Sequence, residues 1–354
     1  MEDRSLRGFW ITAEEAADLK EEWNALASEM RPNMFYFERE FFNIWARFFA
    51  GNSPIKLLMI RDTVKLRLAA PFYYRDYSWR LCADRDADHP LIIFSNDDTA
   101  AVSTFWQMLE ESGEPVIVPS IGRTTTLGRL CPKPGTYTSA TRLHFTSKEI
   151  NALGHRIQTH RYKNLINWYR KQGDFTYLKL QTRSDIEKWL PQFAQLHERR
   201  WSSTRTPSSF TKPIYRDFCS QLISTFAPRS RLTLDALVLG DNLLAGCLGT
   251  ERNGTKGMYL AAYDTNYWKK SPGKLLLAYI LSEAKKSRLV HLDFLRGSES
   301  YKHRYKPKIE HCFTFKNRSY RRSWHGLLDY CGTFWWRAKR IARTSFNIQN
   351  GSLL

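Results

Sequence analysis

The sequence predicts an α/β protein built on mixed, mostly antiparallel sheets flanked by helices, and three observations carry that expectation. After a run of helical patterns come three consecutive strand-like segments, residues 232–239, 243–251 and 257–264, separated by turns at Gly240-Asp241-Asn242 and Asn253-Gly254. That meander leads into a loop, a helix and a further buried strand at residues 289–295. A length of 354 residues exceeds what one hydrophobic core usually serves, so two packed units or one duplicated unit are expected.

In the first unit, residues 1–145, Thr12 with Glu14 and Glu15 opens an amphipathic helix in which Ala16, Leu19, Trp23 and Leu26 share a face. Phe41, Phe42, Ile44, Trp45, Phe48 and Phe49 make a strongly aromatic helix of the kind that fills a core. Residues 55–60 and 66–74 read as paired strands joined at Arg61-Asp62-Thr63. Residues 91–94 and 115–118 read as two short buried strands around a helix near 105–109. Residues 120–134, rich in Thr, Gly and basic side chains, read as a long loop. No residue-level repeat relates this unit to the next.

The second unit, residues 146–320, opens on capping-box spacing from Thr146 to Glu149, and Ile150, Leu153, Ile157, Leu165 and Trp168 carry a helix to Gly173. Its other face is basic, with Arg156, Arg161, Lys163 and Arg170 among Tyr162, Trp168 and Tyr169. This suits phosphate and base contacts, or a plain solvated face. A second such spacing, Ser184 to Glu187, opens the helix through Ile186, Trp189, Phe193 and Trp201. On it His197 and Arg200 project from nearly one side. His197 either packs beside Trp201 or faces an acceptor pocket, where a neutral imidazole receives a proton. Residues 210–226 form another helix, with Tyr215, Phe218, Leu222 and Phe226 on one stripe.

The loop before the next helix, Lys269-Lys270-Ser271-Pro272-Gly273-Lys274, ends where Pro272 suits a first helical turn. Helix N-terminal N–H groups, a glycine that admits close approach and three lysines favour an anion, most simply a phosphate; a capped helix start is the plain alternative. In the strand that follows, Asp293 faces opposite to Leu292 and Phe294 and shares a side with His291 and Leu295. Burial would raise its pKa and suit it for proton transfer, whereas pairing with Lys302 or Arg296 would lower it and make an anchor. Glu299 follows Gly297 in a more accessible loop.

A net charge of +19 calls for an anionic partner: a phosphorylated cofactor, an RNA such as a charged tRNA, or an anionic membrane surface. The sequence lacks an apolar run long enough to span a membrane and a signal-peptide core, so a cytoplasmic protein is expected. Six cysteines without a CxxC pair imply reduced thiols, and without HExxH-like spacing no metal is expected. Residues 312–316 read as the strand that closes the sheet. Residues 321–346 follow as a basic amphipathic helix whose stripe runs from Trp324 through Leu328, Cys331 and Trp335 to Ala342. It would lie on an anionic membrane or pack on the protein itself. The tail after Phe346 is expected to be disordered.

The run SPGKLLL, followed by LDFLRGSESYKHRY and preceded by QLHERRW, resembles the acetyltransferase branch of the GNAT superfamily typified by CelD-like cellulose-biosynthesis proteins, a branch related to Fem-type aminoacyltransferases. The similarity covers residues 146–317 and the first half in outline. It implies tandem GNAT-like units, the first degenerate. The implied reaction moves an acyl group from acetyl-CoA or another acyl-CoA to an amine or hydroxyl of an amino-sugar, cell-envelope or exopolysaccharide precursor. It also implies donor phosphates held by Lys270, Ser271, Gly273 and Lys274, an acceptor near Arg200, Trp201, Tyr301 and Lys302, and proton removal by Asp293, Glu299 or His197. The usual pyrophosphate loop, an Arg or Gln followed by spaced glycines, is reduced here to KSPGK. A charged-tRNA donor is the alternative enzyme. A membrane-bound, non-catalytic scaffold for polysaccharide synthesis is the alternative from another class.

Overall fold

One order of elements occurs twice along the chain: strand, two helices, three strands in a meander, helix, strand, strand. The computed structural model describes residues 6–132, 137–202, 207–297 and 300–329. The first copy comprises β1 (Arg7–Thr12), α1 (Lys20–Glu29), α2 (Arg39–Trp45), β2 (Ile55–Arg61), β3 (Leu66–Arg75), β4 (Ser78–Leu81), a short extra β5 (Ile93–Phe94), α3 (Thr99–Glu111), β6 (Val116–Gly122), α4 (Thr126–Leu130) and β7 (Tyr137–Thr146). Helices α5 (Ser147–Leu153) and α6 (His160–Arg170) lead to the second copy. It comprises β8 (Phe175–Leu180), α7 (Arg183–Trp201), α8 (Pro213–Phe226), β9 (Leu232–Leu239), β10 (Asn242–Arg252), β11 (Thr255–Tyr263), α9 (Pro272–Lys286), β12 (His291–Arg296), α10 (Ser300–His303) and β13 (Lys308–Lys316), with α11 (Arg318–Arg322) behind it.

The strands join in a single sheet of order β1-β2-β3-β4-β6-β13-β7-β12-β11-β10-β9-β8, with β5 beside β3. From either edge inward the pairings are three antiparallel, one parallel and one antiparallel, meeting at the antiparallel pair β13 and β7. The final strands are exchanged. β13, from the second copy, pairs with β6 of the first, and β7, from the first, pairs with β12 of the second. The segment expected to close the sheet therefore lies at its centre.

The meander strands are largely buried on both faces because helices cover both: β9 is buried along nearly its whole length, and its Asp235 pairs with Lys256 of β11 at 2.7 Å. The turns on either side of α2 meet α8 and bring the copies together on one face through Phe49 and Phe218, whose ring centroids are 4.8 Å apart, and Phe35 and Phe226, 5.0 Å apart. On the other face Leu275, Ile280 and Leu281 of α9 pack with Ile150 of α5, Tyr169 of α6 and Leu292 of β12.

Several local expectations shift. The residues before the first predicted helix form β1, a half-exposed edge strand with too little apolar alternation to stand out. β8, at the opposite edge, is equally muted. The helix predicted to run to Gly173 breaks into α5 and α6. Gly154 lies against Lys285 of α9, leaving no room for a Cβ there, and Thr159 starts the chain helical again. The helix expected from Ser184 is capped two residues earlier, where the Thr182 hydroxyl accepts the Asp185 N–H at 3.2 Å. At the C-terminus Trp324, Leu327 and Leu328 are exposed. Residues 330–346 of the predicted amphipathic helix, and the tail, lie outside the described residues. Among the described residues no helix is long and apolar enough to cross a membrane.

Candidate active site

A groove opens where β11 and β12 part. Their parallel ladder spans only Thr255–Gly257 opposite His291–Asp293, although β11 continues to Tyr263 and β12 to Arg296. β12 bends away through a bulge at Leu295, whose φ of +58° costs a bulky residue about 1–2 kcal/mol. The Asp293 carboxylate accepts the Leu295 N–H at 2.7 Å and so holds the bend.

The groove encloses about 410 Å³ between Met258, Ala261 and Tyr263 of β11, Gly273 and Lys274 of α9, and Arg304. Arg200 of α7 closes one side, donating to the Ala261 carbonyl at 2.9 Å beneath the Tyr263 ring. The first turn of α9 points into it. Ser271 precedes the helix in the left-handed conformation, no side chain caps the turn, and no acid lies in it. Lys274 is surrounded by positive charge: burial first, then Arg304 and Arg161, lowers its pKa. Lys270 lies 4.4 Å from the Trp168 ring in an adjoining cavity of about 580 Å³ lined by Arg156, Arg161, Tyr162 and Tyr305. The Lys274 and Leu275 N–H groups donate to the Ser271 carbonyl at 3.0 and 3.1 Å, so the positive end of the helix and the clustered cations are what favour an anion here.

The matching helix of the first copy starts differently. Asp98 caps α3 with its own carboxylate, accepting the Ala101 N–H at 3.0 Å, and pairs with Arg67 at 2.7 Å. The place an anion would take is filled by the chain itself.

A second cavity, of about 310 Å³, lies at the seam of the two copies, lined by His89, Arg142, His144, His291, Asp293 and Glu310 among others. Asp293 is buried and meets His89 Nε2 at 3.0 Å and His291 Nε2 at 3.7 Å. Burial opposes its ionisation, but the contacts with His291 and His89 outweigh that and hold its pKa well below the usual carboxylate range. His89 contacts Arg142 through its other nitrogen, and burial followed by the Arg142 charge pushes its pKa down to about 4. It is therefore a neutral imidazole at neutral pH. His291 stacks on His144 with centroids 4.9 Å apart. Asp293 is the last β12 residue paired with β11, opposite Gly257, just before the strands part.

The predicted residues thus fall into separate environments. Ser271, Gly273, Lys274 and Arg200 share the groove, with Lys270 beside it. Lys302 is buried and donates to the carbonyls of Phe294, Arg296 and Gly297, tying off the end of β12; neither it nor Arg296 pairs with Asp293, since Arg296 meets Asp88 at 3.2 Å. His197 Nδ1 is 2.7 Å from the Ser208 hydroxyl among Phe193, Trp201 and Phe210, and burial followed by Arg200 lowers its pKa to about 4. Tyr301 belongs to α10; its side chain and Glu299 lie outside the described residues. Sequence reading missed His89, Arg142 and His144, which reach the site from the first copy. His291 was visible, two residues before Asp293 on the same strand face.

Residues 157–303 match the model of the acetyltransferase (GNAT) domain. Among curated proteins none matches the sequence. Three solved structures are similar over most of their length. FemX has a TM-score of 0.56 at 8% identity, covering 88% of this chain and 96% of that one. The C-terminal domain of a protein assigned as a lysylphosphatidylglycerol synthetase from Agrobacterium fabrum has a TM-score of 0.51 at 11% identity, covering 84% and 91%. A conserved protein of unknown function from Bacteroides thetaiotaomicron has a TM-score of 0.51 at 12% identity, covering 84% and 97%. At such identities the likeness is one of fold. The matched residues run from just before α6 to the end of α10, and the first copy repeats the element order of the second, giving two GNAT-like units in one sheet.

Proposed function

We propose that the protein transfers an acyl group from acetyl-CoA or another acyl-CoA to an amine or hydroxyl of a cell-envelope or exopolysaccharide precursor, such as an amino sugar, as the CelD-like resemblance implies. The observation that carries this reading is the contrast between the copies. α3 begins on an acidic cap, whereas α9 begins uncapped on a groove flanked by lysines. In this reading Lys270, Ser271, Gly273 and Lys274 hold donor phosphates, and Arg200 fixes the wall along which the donor lies.

The acceptor nitrogen adds to the thioester carbonyl, forming the C–N bond; the oxyanion's electrons return to expel the CoA thiolate, and the nitrogen's proton passes to a base. Asp293, ionised and buried, serves better as an anchor that orients imidazoles than as the base itself. His291, whose Nε2 has no hydrogen-bond partner, takes the proton in this scheme. No covalent enzyme intermediate is needed; burial pushes the Cys219 thiol well above the usual range and that of Cys247 up to about 12, so neither is an activated thiolate. A cytoplasmic setting, with or without a peripheral contact to the inner membrane face, suits a CoA donor.

An aminoacyl-tRNA donor is the second reading. It is favoured by the basic, aromatic cavity of Arg156, Arg161, Tyr162 and Trp168 that adjoins the groove. Calorimetry with acetyl-CoA and with charged tRNA across a salt series separates the two, because tRNA affinity must fall steeply as salt rises. Binding of neither refutes both.

A further inference from the structure

Among the described residues, two polar atoms buried in the wall of the seam cavity have no hydrogen-bond partner: Arg142 Nη2, and His291 Nε2, which lies 3.7 Å from the Asp293 carboxylate. Arg142 is only 2% exposed. Its guanidinium is fixed on one side by the Nη1 contact with His89 and on the other by the backbone of Gly122, where a Cβ would collide with Nη2. Of the three carboxylates that line the cavity, Asp97, Asp293 and Glu310, the latter two are already engaged. Asp293 is held by His89 and the Leu295 N–H, and Glu310 by the N–H and hydroxyl of Thr124. A buried cationic donor left without an acceptor destabilises the free protein, and an oxyanion entering the cavity would satisfy it. Arg31 and Arg129 add charge of the same sign to the lining.

We infer that the seam cavity binds the acceptor through a carboxylate or phosphate docked on Arg142, with the acceptor's amine directed to His291. The amine half of this inference rests on the acyl-transfer reading above; the oxyanion half rests on Arg142 alone. A cavity of about 310 Å³ lies at the small end of the range for ligand sites, about 300–1,000 Å³. It suits one amino sugar or amino acid, and an acceptor tethered to something larger would leave the rest outside.

Glucosamine 6-phosphate, 2-amino-2-deoxyglucuronic acid and uncharged glucosamine, titrated calorimetrically with and without coenzyme A, form the test. The two anionic amines distinguish phosphate from carboxylate. The expected result is that at least one binds wild-type protein tenfold or more tighter than glucosamine, and that Arg142→Gln abolishes the preference while coenzyme A affinity is unchanged. Arg142→Lys, which keeps the charge, should retain part of it and guards against a Gln variant that fails to fold. The inference is overturned if wild-type protein shows no preference for the anionic amines in either condition, or if the folded Gln variant keeps it. Loss of coenzyme A binding by wild-type protein, with the anion preference intact, would instead strike at the donor reading.

Discussion

Gly273 is the position at which stability and donor binding should separate most cleanly. It is the second residue of α9, directly on the groove. A Cβ built there meets Tyr263 Cδ1 at 3.3 Å and Cγ at 3.7 Å, so the ring must yield by a few tenths of an ångström. Replacing a helical glycine by alanine gains about 1 kcal/mol in a helix interior and less in the first turn. The two effects largely cancel, and Gly273→Ala should stay within about 1 kcal/mol of wild type in urea unfolding. A phosphate resting against this turn loses close backbone approach, hence one or two charge-assisted hydrogen bonds at about 1.5–3 kcal/mol each. For one bond that is a tenfold to hundredfold rise in the acetyl-CoA Kd, as an order of magnitude. Gly273→Val, with two further carbons at the wall, should raise it more. Calorimetry on both variants beside their unfolding curves decides the matter. A Kd within twofold of wild type in both would show that the turn merely starts a helix, and the donor assignment would fail with it.

Removing the cap of the other copy should do the reverse. Asp98→Ala is expected to cost about 1–2 kcal/mol in urea unfolding while leaving acetyl-CoA affinity unchanged; an effect on affinity would mean that the first copy takes part in donor binding. His291→Gln should lower turnover by roughly 10²–10⁴ with donor affinity retained, and full activity in that variant would remove His291 as the base. Stability should fall on acidification. His89 and His197 have folded pKa values near 4 against about 6.5 unfolded, so between those values the unfolded chain binds the more protons and each histidine costs up to about 1.4 kcal/mol per pH unit as pH falls. Urea midpoints at pH 7 and pH 5 should therefore lie closer together in His197→Gln than in wild type, and an unchanged gap would refute the assignment.

Much of the second copy was legible because its strands are buried on both faces and bounded by Gly-Asp-Asn and Asn-Gly turns, which leaves little ambiguity about where they begin and end. The start of α9 was legible for a related reason: Pro272, Gly273 and the lysines have local backbone and charge consequences that need no tertiary knowledge. The edge strands β1 and β8 were not, since half-exposed strands carry weak alternation. Nor was the environment of Asp293. The sequence placed Arg296 and Lys302 nearest, yet its partner is His89, 204 residues away, and local spacing carries no trace of a contact made by strand exchange. Together with His291, that partner keeps Asp293 ionised.

The exchange of final strands makes the seam cavity depend on both copies, although only the second has a helix start without an acidic cap. Arg142 and His144 lie on β7 and His89 in a loop of the first copy, while His291 and Asp293 lie on β12 of the second. β7 sits between β12 and β13, so cutting the chain at Thr146 would take away the strand that both of them pair with, along with three of the seam residues. The second copy holds the features suited to a donor by itself. The cavity beside it is assembled only when both copies fold together. With the start of α3 occupied by Asp98, the part left to the first copy in the proposed reaction is to supply the arginine and imidazoles on which an acceptor would be oriented.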